Sequence, residues 1–246
     1  MNDGTVAYPQ VLPRFNTQAA KPLPMLYALT SEGKSRELLK LAAQFTVKRI
    51  FDYIGAGLGV LLLSPLMLGI ALLIRLDSRG PVLFRQQRLG LGGKPFWIWK
   101  FRTMVVNAED CLGGLEHLNE SRGGVLFKIR HDPRVTRIGR LLRRTSLDEL
   151  PQLFNVLQGH MSLVGPRPLP LRDCGRLQEI DGQQFQGRHS VLPGLTGPWQ
   201  VSGRSETGIE HMINMDLEYI DTWSLWRDLQ LIGRTIIVVV SRRGAC

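Results

Sequence analysis

Several common signatures are missing from this chain. It has three cysteines, Cys111, Cys174 and Cys246, odd in number, far apart and without a C-x-x-C pair. That pattern excludes a disulfide framework and a cysteine zinc site, and it reads as reduced cytosolic thiols. His160 and His189 share no metal-ligand spacing and read as ordinary loop histidines. The first 47 residues hold no apolar core of the kind a secretory signal needs, so no cleaved leader is expected. No internal repeat is visible. The most informative absence is local: residues 53–74 carry no charge at all.

An uncharged run of that length can cross a bilayer core as a helix, which needs ~20 apolar residues. Its flanks speak against a simple crossing. Lys48 and Arg49 precede it, and Arg75, Arg79, Arg85 and Arg88 follow it. Short segments rich in Lys and Arg stay on the cytoplasmic side. One straight span cannot place both ends there. Ser64-Pro65 stands in the middle: proline lacks an amide proton and breaks or kinks a helix, and the serine hydroxyl can bond a carbonyl that the break frees. A hairpin that dips into one leaflet and returns, broken at Ser64 and Pro65, satisfies all of this. A kinked span is the alternative. A buried soluble helix would need a polar stripe at helical spacing, and none is present.

Lys and Arg outnumber Asp and Glu by 31 to 21. Such a surplus suits anionic lipid head groups, phosphorylated substrates or nucleic acid. The basic residues gather beside the apolar run and in 134–144, which favours membrane lipids and phosphates, and no nucleic acid is expected as a partner. The organisation read from these features is a polar tail and lead-in helix over 1–47, a re-entrant membrane hairpin over 48–79 and a cytosolic catalytic domain over 80–246. The tail, with four prolines before residue 25, reads as mobile, and Ser35 is placed to cap the lead-in helix. The fold class expected is α+β: the hairpin plus a small, mostly helical domain with a short β-hairpin. Val82-Leu83-Phe84 and the aromatic-rich 96–101 read as its strands around a turn at Gly90, Gly92 and Gly93. Residues 105–125 begin like a helix. Residues 137–142, 150–157 (ended near Gly159), 206–223 and 225–241 read as helices, the last amphipathic and too short to span, so suited to the membrane interface.

Three clusters could carry chemistry. In Arg143-Arg144-Thr145-Ser146-Leu147-Asp148-Glu149, adjacent carboxylates behind two arginines can hold a metal ion or attack phosphorus. The same letters also make a capping box, Ser146 to Glu149, at a helix start. In Gly165-Pro166-Arg167-Pro168, two prolines can pre-organise a guanidinium fork for phosphate, or simply form a rigid turn. Residues 193–204 combine turn-forming glycines with Trp199, Gln200 and Arg204, which offer stacking and polar contacts; a structural loop around a core Trp fits equally.

These clusters, in this order, resemble the bacterial sugar transferase family of monotopic phosphoglycosyl transferases. The resemblance runs from about Lys48 to the C-terminus. It includes Lys48-Arg49-Ile50-Phe51-Asp52, Ser64-Pro65, Lys100-Phe101-Arg102-Thr103-Met104, the stretch from Thr145 to Val156 and the 165–168 turn. Only a polar tail precedes the apolar run, so the expectation is the minimal form of the family. The resemblance implies transfer of a hexose 1-phosphate from a UDP-sugar to polyprenyl (undecaprenyl) phosphate with release of UMP. It places the active site on the cytoplasmic face of the bacterial inner membrane, at the first membrane step of exopolysaccharide, lipopolysaccharide or related glycan assembly. It implies Asp148 as nucleophile, Glu149 as its partner, Mg²⁺ held by Asp148 and Glu149, and Lys100, Arg143 and Arg167 around the phosphates. Similarity around 194–204 implies UDP-glucose or UDP-galactose, with Gln200 and Arg204 as substrate contacts. His160 stands where many members have Asp. A homo-oligomer stays open, and a membrane-bound scaffold without catalysis is the alternative from another class.

Overall fold

The computed structural model describes residues 35–111, 113–120, 129, 131–202 and 208–241. The tail expected over 1–30, Arg204 and Cys246 lie outside them. The fold is a long apolar helix, α1 (Ser35–Asp77), laid against a mixed domain of short elements. α1 is one helix where the sequence pointed to two arms of a hairpin: the backbone stays helical through Ser64-Pro65. The local chemistry expected there is present. Pro65 cannot donate to Leu61 O, and the Ser64 hydroxyl donates to that carbonyl instead at 2.9 Å. Among the described residues, Ala42–Asp77 is the one helix long and apolar enough to cross a membrane.

Both halves of α1 pack on the same domain. On the N-terminal side Ala56, Val60 and Leu63 meet Phe96, Ile98, Leu153 and Met161; beyond Pro65, Met67, Ile70 and Ile74 meet Phe101, Leu142, Leu147 and Leu150. Polar ties hold each end. Fully buried Asp52 accepts from Ser162 Oγ and from the Leu163 amide, both at 2.9 Å. Lys48 Nζ reaches Asp228 Oδ2 at 2.5 Å, and Asp228 also accepts from Tyr219 Oη and Trp223 Nε1. At the other end Asp77 accepts from the Ile138 amide at 3.1 Å, and Arg102 donates to the Ser78 and Arg79 carbonyls. The opposite face is a row of exposed leucines: Leu61, Leu62, Leu68 and Leu76 are 69–75 % exposed.

The β-hairpin expected from the aromatic run forms as β1 (Leu83–Leu89) and β2 (Pro95–Phe101), antiparallel, with Phe84 opposite Lys100. β1 extends past the predicted 82–84 because Gly90 N–H closes on Lys94 O at 2.8 Å and Gly92 supplies the left-handed turn conformation. Within 105–125, expected to start as a helix and continue as a loop, residues 113–118 form a 3₁₀ stretch. Helices α2 (Arg137–Thr145) and α3 (Gln152–Leu157) follow. α3 ends as its sequence indicated: Gly159, at φ 82°, lets the His160 amide return to Asn155 O and the Gly159 amide to Val156 O, a Schellman cap.

Strand β3 (Ser162–Val164) pairs in parallel with β4 (Gly194–Thr196), and helix α4 (Leu171–Gly187) crosses between them. Neither the pairing nor α4 was apparent from the sequence. Three-residue strands carry no period, and α4 interrupts its apolar positions with Gly175 and Gly182. Yet Cys174, Leu177 and Phe185 of α4 are fully buried with Met212 and Ile213 in one core. The chain ends with α5 (Pro198–Val201), α6 (Ile209–Asp221) and α7 (Leu225–Ser241). α7 buries Asp228 and Leu231 against the domain and exposes Trp226, Leu229, Ile236 and Ile237.

Candidate active site

Ser146 is the only non-glycine with positive φ among the described residues, at 56°. It ends α2 and redirects the chain into a single 3₁₀ turn, Leu147–Glu149. A left-handed serine costs about 1–2 kcal/mol, and such strain gathers at functional sites. The capping box expected here does not form. The Ser146 side chain makes no cap hydrogen bond, and the Glu149 carboxylate turns the other way, toward cations. Cap residues and catalytic carboxylates share the same letters, and only the backbone at Ser146 separates them.

The cations come from three elements. Lys100, on β2, donates to Glu149 Oε1 at 2.7 Å and stands 4.0 Å from Asp148 Oδ2. Arg167, in the turn after β3, reaches Glu149 Oε1 at 2.8 Å through Nη2 and Oε2 at 3.5 Å through Nη1. Its guanidinium also lies 5.9 Å from the Trp199 ring centroid on α5. Arg143, in the last turn of α2, is steadied by Thr103 Oγ1 at 2.9 Å and adds positive potential at Asp148. Sequence reasoning missed Arg88 of β1, which donates to Pro168 O and Gln86 Oε1 behind Arg167. A basic residue on a strand carries no local mark of its destination.

The two carboxylates are electrostatically unequal. Burial raises the Asp148 carboxyl above the usual aspartate range, and the Glu149 charge adds to this against the pull of Lys100 and Arg143. Burial also opposes the Glu149 charge, but Arg167 and Lys100 together outweigh it and hold that carboxyl below its ordinary range. Burial lowers the Lys100 ammonium and brings Arg88 down to about 10, the latter with help from Arg167. Glu149 is therefore a fixed anion that organises two cations, and Asp148 is the less committed and more basic carboxylate. Lys100, Arg143 and Arg167 against two carboxylates leave positive charge for an incoming anion.

The remaining predicted residues fall as follows. Gln200 of α5 is buried, Trp199 is half-buried against the α4 core, and Arg204 lies outside the described residues. Ser64 and Pro65 are in α1, where the Ser64 hydroxyl bonds Leu61 O. His160 is exposed beside Phe96, whereas His189 is buried with Nδ1 3.0 Å from Phe185 O, and burial brings its imidazole down to about 3. Among the described residues no group of three or more His, Cys, Asp or Glu is arranged to hold a metal. Mg²⁺, however, is commonly held by one or two carboxylates plus substrate phosphates. With Glu149 held by two cations, the residues fit an ion brought in with a diphosphate and resting on Asp148.

Comparison with known proteins bears on this arrangement. The family model described as bacterial sugar transferase matches residues 43–242. The UDP-glucose:undecaprenyl-phosphate glucose-1-phosphate transferase of Caulobacter vibrioides is 47 % identical over 196 residues, covering 77 % of this chain and 68 % of that protein. The Escherichia coli K12 protein of the same name is 44 % identical over 221 residues, covering 87 % of this chain and 43 % of its own. The undecaprenyl-phosphate galactose phosphotransferase of Salmonella typhimurium is 39 % identical over 211 residues, covering 85 % and 43 %. The chain thus spans less than half the length of most of the relatives it matches.

Proposed function

The chain belongs to the bacterial sugar transferase family, and on that premise we propose that it transfers a hexose 1-phosphate from a UDP-sugar to undecaprenyl phosphate, releasing UMP. The observation that carries this reading is the unequal carboxylate pair among Lys100, Arg143 and Arg167: a basic, lightly held Asp148 beside a Glu149 pinned by Lys100 and Arg167. Two negatively charged reactants repel, so a double displacement through a covalent intermediate divides one difficult step into two. An Asp148 oxygen attacks the β-phosphorus; the bond to the oxygen bridging the phosphates breaks and UMP leaves with that oxygen. The lipid phosphate oxygen then attacks the same phosphorus and Asp148 departs as a carboxylate. Lys100, Arg143 and Arg167 neutralise phosphate oxygens in both steps, and Glu149 keeps Lys100 and Arg167 aimed. Asp148, with Glu149 beside it, would hold Mg²⁺, whose contribution when bound is to offset charge on the diphosphate.

The membrane part of the proposal rests on α1. A helix whose two halves both lie on one extramembrane domain, with leucines exposed on its other face, suits insertion into one leaflet with both ends on the cytoplasmic side. This would bring the site to the interface, where a long lipid's phosphate resides. The names of the relatives support glucose or galactose as the hexose. The test is UMP release by the detergent-solubilised protein with undecaprenyl phosphate across a UDP-sugar panel. Release with UDP-glucose or UDP-galactose is expected, and silence across the panel overturns the assignment.

A further inference from the structure

The turn that carries Arg167 is clamped at three successive carbonyls, each from a different element. The Gly194 amide of β4 donates to Pro166 O at 2.9 Å. Arg188 Nη2, in the 3₁₀ turn Arg188–Ser190, donates to Arg167 O at 2.9 Å. Arg88 Nη1 of β1 donates to Pro168 O at 3.2 Å. Neither proline has an amide proton, so the carbonyls are the main handles by which the 166–168 backbone can be oriented. The close approach of the strand leading into β4 needs Gly165: a Cβ there would stand 2.5 Å from Leu192 O and 3.0 Å from Gly194 N.

Arg188 is the least replaceable of the three donors. It is 3 % exposed, and Asp216 of α6 is fully buried. Asp216 Oδ2 receives Arg188 Nε at 2.8 Å and Nη2 at 2.7 Å, while the same Nη2 is shared with Arg167 O. A buried pair of this kind is a costly way to gain stability, because an apolar pair of similar volume would often do as well. What an apolar pair cannot do is present a rigid donor to the Arg167 carbonyl.

We propose that Arg188, anchored by Asp216, is a positioning residue that sets the aim of the Arg167 guanidinium toward Glu149 and the substrate phosphates. This rests on the phosphate-binding role assigned to Arg167 above. The pair touches no reacting atom and acts through the turn.

A double-mutant cycle on the full chain tests it. Arg188→Lys keeps the charge but cannot serve Asp216 and Arg167 O with one planar fork. In the wild-type background it should lower kcat/KM for UDP-sugar by about 10-fold; on top of Arg167→Lys it should lower it by less than about 2-fold, because the residue it aims is already impaired. A merely structural role predicts the same loss in both backgrounds with a fall in melting temperature, and that result overturns the proposal. If Arg188→Lys does not fold, Asp216→Asn, which keeps the volume and an acceptor oxygen, carries the same cycle with the same expectation. Should the wild type bind UDP yet turn over no UDP-sugar, the transferase reading fails while the cycle is read in UDP affinity, where coupling sustains the proposal and additivity overturns it. A wild type that neither turns over nor binds UDP overturns both.

Discussion

Asp148 and Glu149 are neighbours in sequence with opposite electrostatic fates. Pairs of titratable groups driven apart by their surroundings mark a division of labour. The Asp-Glu pair was visible in the sequence, but its spacing alone left its role open, since Ser146-x-x-Glu149 also reads as a cap. The left-handed Ser146 and the approach of Lys100 and Arg167, from residues 49 and 18 positions away, rule out the cap. Asp148→Asn tests the nucleophile directly, because Asn keeps the size and shape of Asp without its negative charge and the substitution leaves the Glu149 contacts in place. The variant should be folded and membrane-bound, with UMP release undetectable. Wild-type protein given UDP-sugar without lipid should gain one hexose phosphate on the peptide carrying Asp148, read by mass spectrometry of a quenched sample; a normally active Asn variant or an adduct elsewhere refutes the assignment. Attack needs ionised Asp148, whose folded carboxyl is raised by burial and by Glu149. Activity should therefore fall as pH drops through a value above the ordinary aspartate range, while Glu149, held low, stays charged across that limb.

α1 is the element whose sequence was most legible and whose shape was least so. Its length, lack of charge and basic flanks are local properties. The partner of each turn of the helix is not, and the Lys48–Asp228 and Asp52–Ser162 ties join residues more than 100 positions apart. The proposed one-leaflet placement predicts that single cysteines at positions 35 and 94, in a cysteine-free background, share the cytoplasmic side. Both should resist an impermeant thiol reagent in intact cells and react after permeabilisation. Labelling of position 35 from outside would restore a through-span. α4 failed to announce itself for a different reason: its glycines and polar residues dilute the apolar stripe, and its helicity rests on burial of Cys174, Leu177 and Phe185 against α6.

At the scale of the whole molecule, charge and apolar surface make separable predictions. The net charge of +10 favours anionic lipid, and that attraction is screened within about 3 Å at 1 M salt. The leucine face of α1 and the exposed Trp226, Leu229, Ile236 and Ile237 of α7 are held by apolar burial, which salt does not screen. Washing membranes with 1 M salt should therefore leave the protein in the pellet, while detergent releases it; recovery in the salt wash would show that charge alone holds it. What the sequence determined by itself is what short-range chemistry encodes: the apolar run, the Ser64 bond to the carbonyl freed by Pro65, the aromatic hairpin, the glycine stop after α3 and the residue types of the site. Tertiary structure alone decided that α1 lies along the domain on both sides of Pro65, that Glu149 is spent on Lys100 and Arg167 while Asp148 is not, and that Arg88 and Arg188 grip the Arg167 turn. Burial and charge pairing depend on which distant residues meet, and a carboxylate's neighbours in space are written nowhere in its neighbours along the chain.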